Sequence, residues 1–202
     1  MKKAFLLVCV LTISVITTAC INNFAVQELN NKAMVFMEQG NYKEAIERLK
    51  SSVDLDESVF ESHYNLAVAY TETEDYLNAM KSYQKAISIK PEFADSYYSL
   101  AVAEENLAID ISKGVLILDE NGVPKKPEYE DEEKETSELT DEVKLTDAEE
   151  IYLKDLYKDA VKNYNLYLSK AEDIEDVEDV KKRIADLEEK IDPVEVNADV
   201  EE

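Results

Sequence analysis

The hexapeptide Asn65-Leu-Ala-Val-Ala-Tyr70 returns 34 residues later as Ser99-Leu-Ala-Val-Ala-Glu104. Alanines keep the same period, since Ala33, Ala67 and Ala101 are spaced 34 residues apart. A period of this length, with small residues at a fixed phase, is typical of a helix–turn–helix repeat whose helices pack too closely for larger side chains. The sequence therefore predicts an all-α chain built from stacked helix pairs.

The repeated unit resembles the tetratricopeptide repeat (TPR). In residues 60–93 the positions that carry the family pattern are filled by His63, Leu66, Ala67, Tyr70, Ala79, Tyr83, Ala86 and Pro91. The resemblance implies a TPR-type α-solenoid of about three repeats, whose first helices line a concave groove. It also implies a binding scaffold for another protein, with no enzymatic activity of its own.

The first two repeats are complete and the third is interrupted. By the family pattern the first covers residues 26–59 and the second covers residues 60–93. Tyr157 corresponds to Tyr76 of the second repeat, but it lies 81 residues later instead of 34, so 47 residues are inserted in the third repeat. Insertions of this kind lie in the solvent-facing turns of repeat arrays and leave the stacked core intact.

The interruption divides the third repeat into residues 94–112 and 147–176. Thr146 followed by Glu149 forms a capping-box pattern, which predicts that the second helix starts near Asp147. The acidic insertion between the two parts, residues 113–146, is expected to be disordered.

An apolar stripe near the C-terminus predicts one more helix over residues 177–191. Val180, Ile184, Leu187 and Ile191 lie at helical spacing, as expected of a capping helix that covers the last repeat. Residues 192–202 are expected to form a disordered acidic tail.

The N-terminus has the pattern of an export signal. Two lysines precede an apolar run that ends at Ala19-Cys20, which predicts a signal peptide over residues 1–19. The ending resembles the lipobox of bacterial lipoproteins, which implies lipidation at Cys20 and a short tether over residues 20–25. An ordinary secreted protein cut elsewhere is the alternative.

If the lipobox reading is correct, the protein is exported and anchored by its lipid. In a bacterium with two membranes the expected location is the outer membrane, facing the periplasm. In a bacterium with one membrane it is the outer face of the plasma membrane.

The negative charge of the chain argues against nucleic acids and anionic lipids as partners. The formal net charge is −24, and the acidic residues concentrate in residues 113–150 and 171–202. A nucleic-acid backbone demands a basic face, so nucleic-acid binding is not expected. Attraction to anionic lipids is not expected either, so the lipid would supply the membrane contact.

The residue types needed for catalysis or metal binding are scarce. His63 is the only histidine and takes an aromatic phase of the second repeat, so we expect a packed ring rather than a base or ligand. We expect no metal and no cofactor. The segment 118–123 fails the calcium-loop pattern, because Ile117 stands where that loop needs Asp. Asn121-Gly122 instead predicts a turn or a small hairpin.

The resemblance places ten side chains in the groove. Tyr64 and Tyr98 occupy the same phase in successive repeats, a phase that faces the groove in the family, and we expect their rings to be exposed there. The other groove residues are Asn30, Met34, Glu61, Asn65, Val68, Asp95, Val102 and Glu105. The alternative for the two tyrosines is that their rings complete the core.

These residues predict the chemistry of the partner. Chaperone-binding members of the family use Lys, Arg and Asn at groove positions to hold a C-terminal carboxylate, and the Lys and Arg are missing here. We expect a protein or peptide with apolar anchors and basic residues. The alternative function is a structural or assembly lipoprotein that self-associates and has no groove ligand.

Overall fold

The computed structural model describes residues 22–128, 144–172 and 177–192. The described residues form seven helices and one two-stranded sheet. The chain divides into two compact units, Met1–Pro91 and Glu92–Glu202. The all-α, TPR-type solenoid class predicted from the repeat is confirmed.

The first unit contains two helix pairs. Helix α1 covers residues 22–38 and α2 covers Tyr42–Leu55, while α3 covers Phe60–Glu72 and α4 covers Tyr76–Ile89. The predicted first and second repeats each supply one pair. Small side chains fill the contacts between helices, and those with no exposed surface include Ala33, Ala45, Ala67, Ala69, Ala79 and Ala86. The predicted burial of Ala67 is confirmed.

The two helix pairs turn in the same way. Gly40 follows α1 with φ +73°, and Glu74, 34 residues later, follows α3 with φ +60°. After each helix an N–H reaches back over five residues, from Asn41 to the Phe36 carbonyl at 2.8 Å and from Asp75 to the Tyr70 carbonyl at 2.9 Å. This left-handed closure caps the last turn of both helices.

The second unit contains the third helix pair and the terminal helix. Helix α5 covers Ala94–Ser112, α6 covers Asp147–Lys170 and α7 covers Val177–Ile191. Helix α6 packs against both α5 and α7. Ala101 has no exposed surface, as predicted, and the predicted stripe of α7 buries Val180, Ile184 and Leu187.

The predicted capping box at the start of α6 is present. The Thr146 hydroxyl accepts a hydrogen bond from the Glu149 backbone N–H, and the Glu149 carboxylate accepts one from the Thr146 N–H at 2.8 Å. Helix α6 has 24 residues, against 14 in α4, so the second helix of the third repeat is the longer one.

Part of the acidic insertion is ordered, which corrects the expectation that residues 113–146 are disordered throughout. Strand β1, Ile117–Leu118, pairs antiparallel with β2, Pro124–Lys125. The Asp119 carboxylate closes the turn by accepting from the N–H groups of Asn121 and Val123 at 2.8 and 2.9 Å. The hydrogen bonds of the turn thus order this part of the segment despite its acidic composition. Residues 129–143 lie outside the described range.

Residues 22–25 of the predicted tether are helical and belong to α1. Val26, the first residue of the predicted repeat, is buried and the helix continues upstream of it. The predicted signal peptide, Cys20 and the tail from residue 193 onward lie outside the described range. Among the helices that are described, none has the length and apolar character needed to cross a bilayer.

Candidate functional site

A cavity of about 510 Å³ lies in the first unit, between the first helices of the two repeats. Helix α1 supplies most of its wall, and the start of α3 supplies the rest. The lining residues are Asn23, Val26, Gln27, Asn30, Asn31, Met34, Val59, Glu61 and Asn65. Four of the ten predicted groove residues therefore lie together: Asn30, Met34, Glu61 and Asn65.

Amide side chains dominate the polar part of this cavity. Gln27 donates to the Asn23 side chain at 3.1 Å. Among the described residues, the side-chain amides of Asn31 and Asn65 make no hydrogen bond, so their donors and acceptors remain available. Each amide presents a donor and an acceptor side by side, the same pair that a peptide backbone presents.

Apolar and acidic side chains complete the cavity. Met34 is 49% exposed and lies in the same wall as Val26 and Val59. Glu61 is exposed and forms no ion pair within the described residues. The cavity thus combines an apolar surface with amides and one available carboxylate.

Asn30 has a structural role that the sequence reading did not anticipate. Its Nδ2 donates to the Ser52 and Ser62 hydroxyls, both at 2.8 Å, and to the Val26 carbonyl at 3.0 Å. Asn30 is buried, and these bonds tie α1 to α2 and α3. The expectation of a side chain free to meet a ligand is corrected: Asn30 holds the wall of the cavity in place.

Tyr64 is half-buried and packs inside the first unit. Its ring stacks on Phe60 at a centroid distance of 5.7 Å and meets the edge of Tyr83, on α4, at 5.8 Å. The expectation of an exposed ring is therefore wrong, because the second helix of the repeat offers an aromatic partner. Val68, one turn further along α3, is also half-buried and does not line the cavity.

Tyr98 repeats this arrangement in the second unit. The ring is half-buried, 5.6 Å from Tyr164 and 5.1 Å from Tyr167, both on α6. Tyr164 stands at the phase of Tyr83, so the same ring contact recurs in both repeats. The second tyrosine of the predicted groove pair is likewise packed on its own repeat rather than exposed. On the same helix, Val102 is half-buried and Asp95 is exposed.

Glu105, which we expected among the groove residues that meet a partner, is instead engaged within the second unit. Its Oε2 accepts from the Tyr164 hydroxyl at 2.8 Å and from the Arg183 guanidinium at 2.9 Å. Only 16% of the side chain is exposed. Burial, followed by the nearby Glu105 carboxylate, raises the pKa of Tyr164 well above its ordinary value. Glu105 therefore joins α5, α6 and α7.

Glu104, which the sequence reading passed over, is the most deeply buried carboxyl group described. It is 2% exposed, and Asn163 Nδ2 donates to its two oxygens at 3.0 and 2.9 Å. A signal was present in the sequence: one and two periods earlier the same phase carries Tyr70 and Phe36. A carboxyl group stands where the other repeats place an aromatic ring.

His63 is a packed ring, as predicted. It is 7% exposed and its Nε2 lies 2.9 Å from the Glu57 carbonyl. Across residues 22–128, 144–172 and 177–192, no cluster of His, Cys, Asp and Glu is suited to hold a metal ion.

A family model described as "TPR repeat" matches residues 34–73 and again residues 69–107. The chain contains TPR repeats. The two matches cover α2 to α4 completely and include parts of α1 and α5.

Solved structures show the same fold at low sequence identity. The first TPR of Spaghetti (RPAP3) bound to the HSP90 peptide SRMEEVD has a TM-score of 0.53 at 16% identity, over 81% of this chain and 93% of that one. The second TPR domain of human RPAP3 with the HSP70 peptide SGPTIEEVD has a TM-score of 0.54 at 12% identity, over 83% and 98%.

The Arabidopsis OM64 TPR domain has a TM-score of 0.55 at 14% identity, over 82% of this chain and 98% of that domain. No curated protein sequence matches this chain significantly.

Proposed function

We propose that this protein is a membrane-anchored interaction module of a bacterial cell envelope. It binds an extended segment of a partner protein in the cavity between α1 and α3 and performs no chemistry of its own. The observation that carries the proposal is the set of amides around an apolar wall, with the side chains of Asn31 and Asn65 available for a ligand.

The amides suit the main chain of an extended peptide. A side-chain amide can pair with a backbone N–H and C=O at once, and this contact does not depend on the peptide's sequence. Met34 and Val59 offer surface for an apolar anchor, and methionine adapts its shape to different anchors. Asn30, held by three hydrogen bonds, keeps this wall ordered before the partner arrives.

The charge of the cavity distinguishes its partner from those of the structural neighbours. Two of the solved TPR domains carry peptides that end in Glu-Glu-Val-Asp. This cavity has no Lys or Arg in its lining and contains Glu61. A peptide with basic residues beside its apolar anchors is therefore the expected ligand, because it complements the carboxylate.

Photo-crosslinking tests this function in native membranes. A photoreactive amino acid replaces Met34 in the cavity and, as a matched control, the exposed Lys81 on α4, which does not line it. We expect one defined partner segment attached at position 34 and not at position 81. Equal labelling at both positions, or none at position 34, would contradict the assignment.

Membrane anchoring through Cys20 needs a test of its own. The proposal rests on the apolar run that ends at Ala19-Cys20. Cys20→Ser should abolish lipid labelling and release the protein from the membrane. If the variant remains in the membrane with the processed mass of the wild type, the lipoprotein assignment is wrong, while the groove proposal is unaffected.

Self-association is the second candidate, and a second hollow favours it. This hollow of about 520 Å³ lies between α1 and α2 and is lined by Glu28, Asn31, Lys32, Val35, Phe36 and Arg48. Val35 is 50% exposed, and the charges of Glu28 and Lys32 already pair with each other at 2.7 Å, so two copies could meet through the apolar side chains of this hollow. Sedimentation of the wild type and of Val35→Lys separates the candidates: a dimer that Val35→Lys dissociates supports self-association.

A further inference from the structure

Glu104 occupies a position built for an apolar side chain. The same phase holds Phe36 in the first repeat and Tyr70 in the second, and alanines without exposed surface lie at Ala103 and Ala108 on the same helix. Replacing a ring by a carboxyl group in such surroundings costs free energy unless the group is neutral or well paired.

The partner of Glu104 is a single neutral amide. Asn163 on α6 approaches both carboxyl oxygens through its Nδ2, at 3.0 and 2.9 Å, across a sequence separation of 59 residues. The charged groups that α6 brings near are Asp159, which disfavours a second negative charge, and Lys162, which favours it. On α5, Glu105 is already engaged by Tyr164 of α6 and by Arg183 of α7.

We propose that Glu104 and Asn163 form a proton-dependent latch between α5 and α6. With the proton on Glu104, the Asn163 amide donates to a neutral acid and no charge is buried between the two helices. When the proton leaves, the amide still donates to the carboxylate, but a negative charge is then buried among apolar side chains and near Asp159. The cost of that buried charge weakens the latch.

The surroundings favour the neutral form over a wide pH range. Burial, the largest cause, raises the pKa of Glu104 to about 8, although the Asn163 hydrogen bond and Lys162 lower it. The unfolded chain releases this proton near the ordinary pKa of 4.5. The folded state thus holds the proton longer, and the contribution to stability is complete below pH 4.5 and is lost as the pH rises through about 8.

The latch acts on the aromatic contacts of the third repeat. Asn163 is followed by Tyr164, whose ring packs on Tyr98 and whose hydroxyl donates to Glu105. Weakening the contact at Asn163 should therefore loosen the packing of Tyr98 on α6. This inference concerns the second unit and does not depend on the proposed function of the cavity in the first.

A carboxyl titration of the full chain tests the latch directly. The ¹³C NMR signal of the Glu104 side-chain carboxyl should titrate with a midpoint near pH 8. A midpoint in the ordinary range of glutamate would overturn the proposal. This measurement needs no variant, so it holds even if a substitution prevents folding.

Urea unfolding of Glu104→Gln gives the second test. For the wild type, the urea concentration at the midpoint of unfolding should fall between pH 6 and pH 9. Glu104→Gln keeps a neutral hydrogen-bonding group, so its midpoint should fall distinctly less over the same range. Asp95→Asn removes an exposed charge from the same helix and serves as the control; it should follow the wild type. Equal losses in wild type and Glu104→Gln would show that Glu104 is no latch.

Discussion

At the scale of single residues, one left-handed backbone position is filled by glycine in the first repeat and by glutamate in the second. Gly40 and Glu74 both have positive φ, of 73° and 60°. An L-residue in this region is strained by about 1–2 kcal/mol, and glycine is not. The turn after α3 therefore carries a strain that the turn after α1 avoids.

Substitutions at these two positions should change the free energy of unfolding in opposite directions. Glu74→Gly should raise the free energy of unfolding by about 1 kcal/mol, and Gly40→Ala should lower it by about as much. A Cβ at Gly40 meets no atom within 4 Å, so the loss there would come from the backbone alone. Chemical denaturation measures both; a loss of stability in Glu74→Gly would contradict the assigned turn.

The repeat phase itself can be tested at Ala67. The residue has no exposed surface and lies on α3, where the period of 34 residues places a small side chain. Ala67→Leu should cost about 1–3 kcal/mol by overpacking. Val68→Leu, at the half-buried neighbouring position, is the control and should cost less. An unchanged melting temperature for Ala67→Leu would show that the helices are not packed at this phase.

Side-chain pairs were the part of the structure that the sequence could not predict. Asn163 and Glu104 are 59 residues apart, and the insertion between them hides the pairing from any periodic pattern. The burial of Asn30 was missed because groove positions in the family are assigned by phase, whereas its contacts depend on serines at Ser52 and Ser62. The position within the repeat predicts on which helix face a residue lies, but it does not predict which polar side chain will be its hydrogen-bond partner.

At the scale of elements, Glu149 joins the start of α6 to the hairpin. One oxygen accepts from the Thr146 N–H at 2.8 Å, and the other accepts from the Leu118 N–H at 3.2 Å. Burial would raise the pKa of Glu149, but the hydrogen bonds from Thr146 and Leu118 outweigh it and hold the pKa below the ordinary value. The carboxylate thus serves both the helix cap and strand β1.

Removing this carboxylate should release the hairpin and weaken the helix. Glu149→Ala should cost about 0.5–2 kcal/mol at neutral pH, a range typical of lost caps, and open new cleavage sites in residues 113–128. Glu150→Ala, at the exposed neighbour, should do neither. Limited proteolysis with mass mapping reads out the cleavage sites.

At acidic pH the difference in stability between the wild type and Glu149→Ala should disappear. Because the folded pKa is lowered, the contribution of the carboxylate is present at neutral pH and is lost as the pH falls through the folded pKa. An effect of Glu149→Ala that persisted in strong acid, or a hairpin as resistant as in the wild type, would contradict the role of Glu149.

The helices themselves followed from local patterns. The period of 34 residues, the Thr146–Glu149 capping box and the apolar stripe of α7 each act within a few turns, so they could be read along the chain. The hairpin was harder to predict, because its turn residues, Asn121-Gly122, lie within an acidic segment whose composition favours disorder. Its contact to Glu149 spans 31 residues and has no local signal.

At the scale of the whole molecule, the described structure divides the predicted groove between two units. Asn30, Met34, Glu61 and Asn65 line the cavity of the first, while Tyr98, Asp95, Val102 and Glu105 lie in the second. The proposed peptide site therefore lies in the first unit alone. The acidic excess of the chain, with a net charge of −24, adds long-range attraction for a basic partner and should make binding weaken with salt.

Peptide affinity measurements test whether the cavity between α1 and α3 binds an extended peptide. A peptide is selected from a random library on the full chain, and its Kd is measured for the wild type, Asn65→Ala, Glu61→Lys and the control Glu47→Lys on α2. Glu47 is exposed and does not line the cavity.

We expect a peptide with apolar and basic residues whose binding weakens at least about tenfold in Asn65→Ala and Glu61→Lys, a cost of about 1.4 kcal/mol, while Glu47→Lys changes it little. Selected peptides that bind all four proteins equally, or that lose affinity only in Glu47→Lys, would show that the cavity is not the binding site.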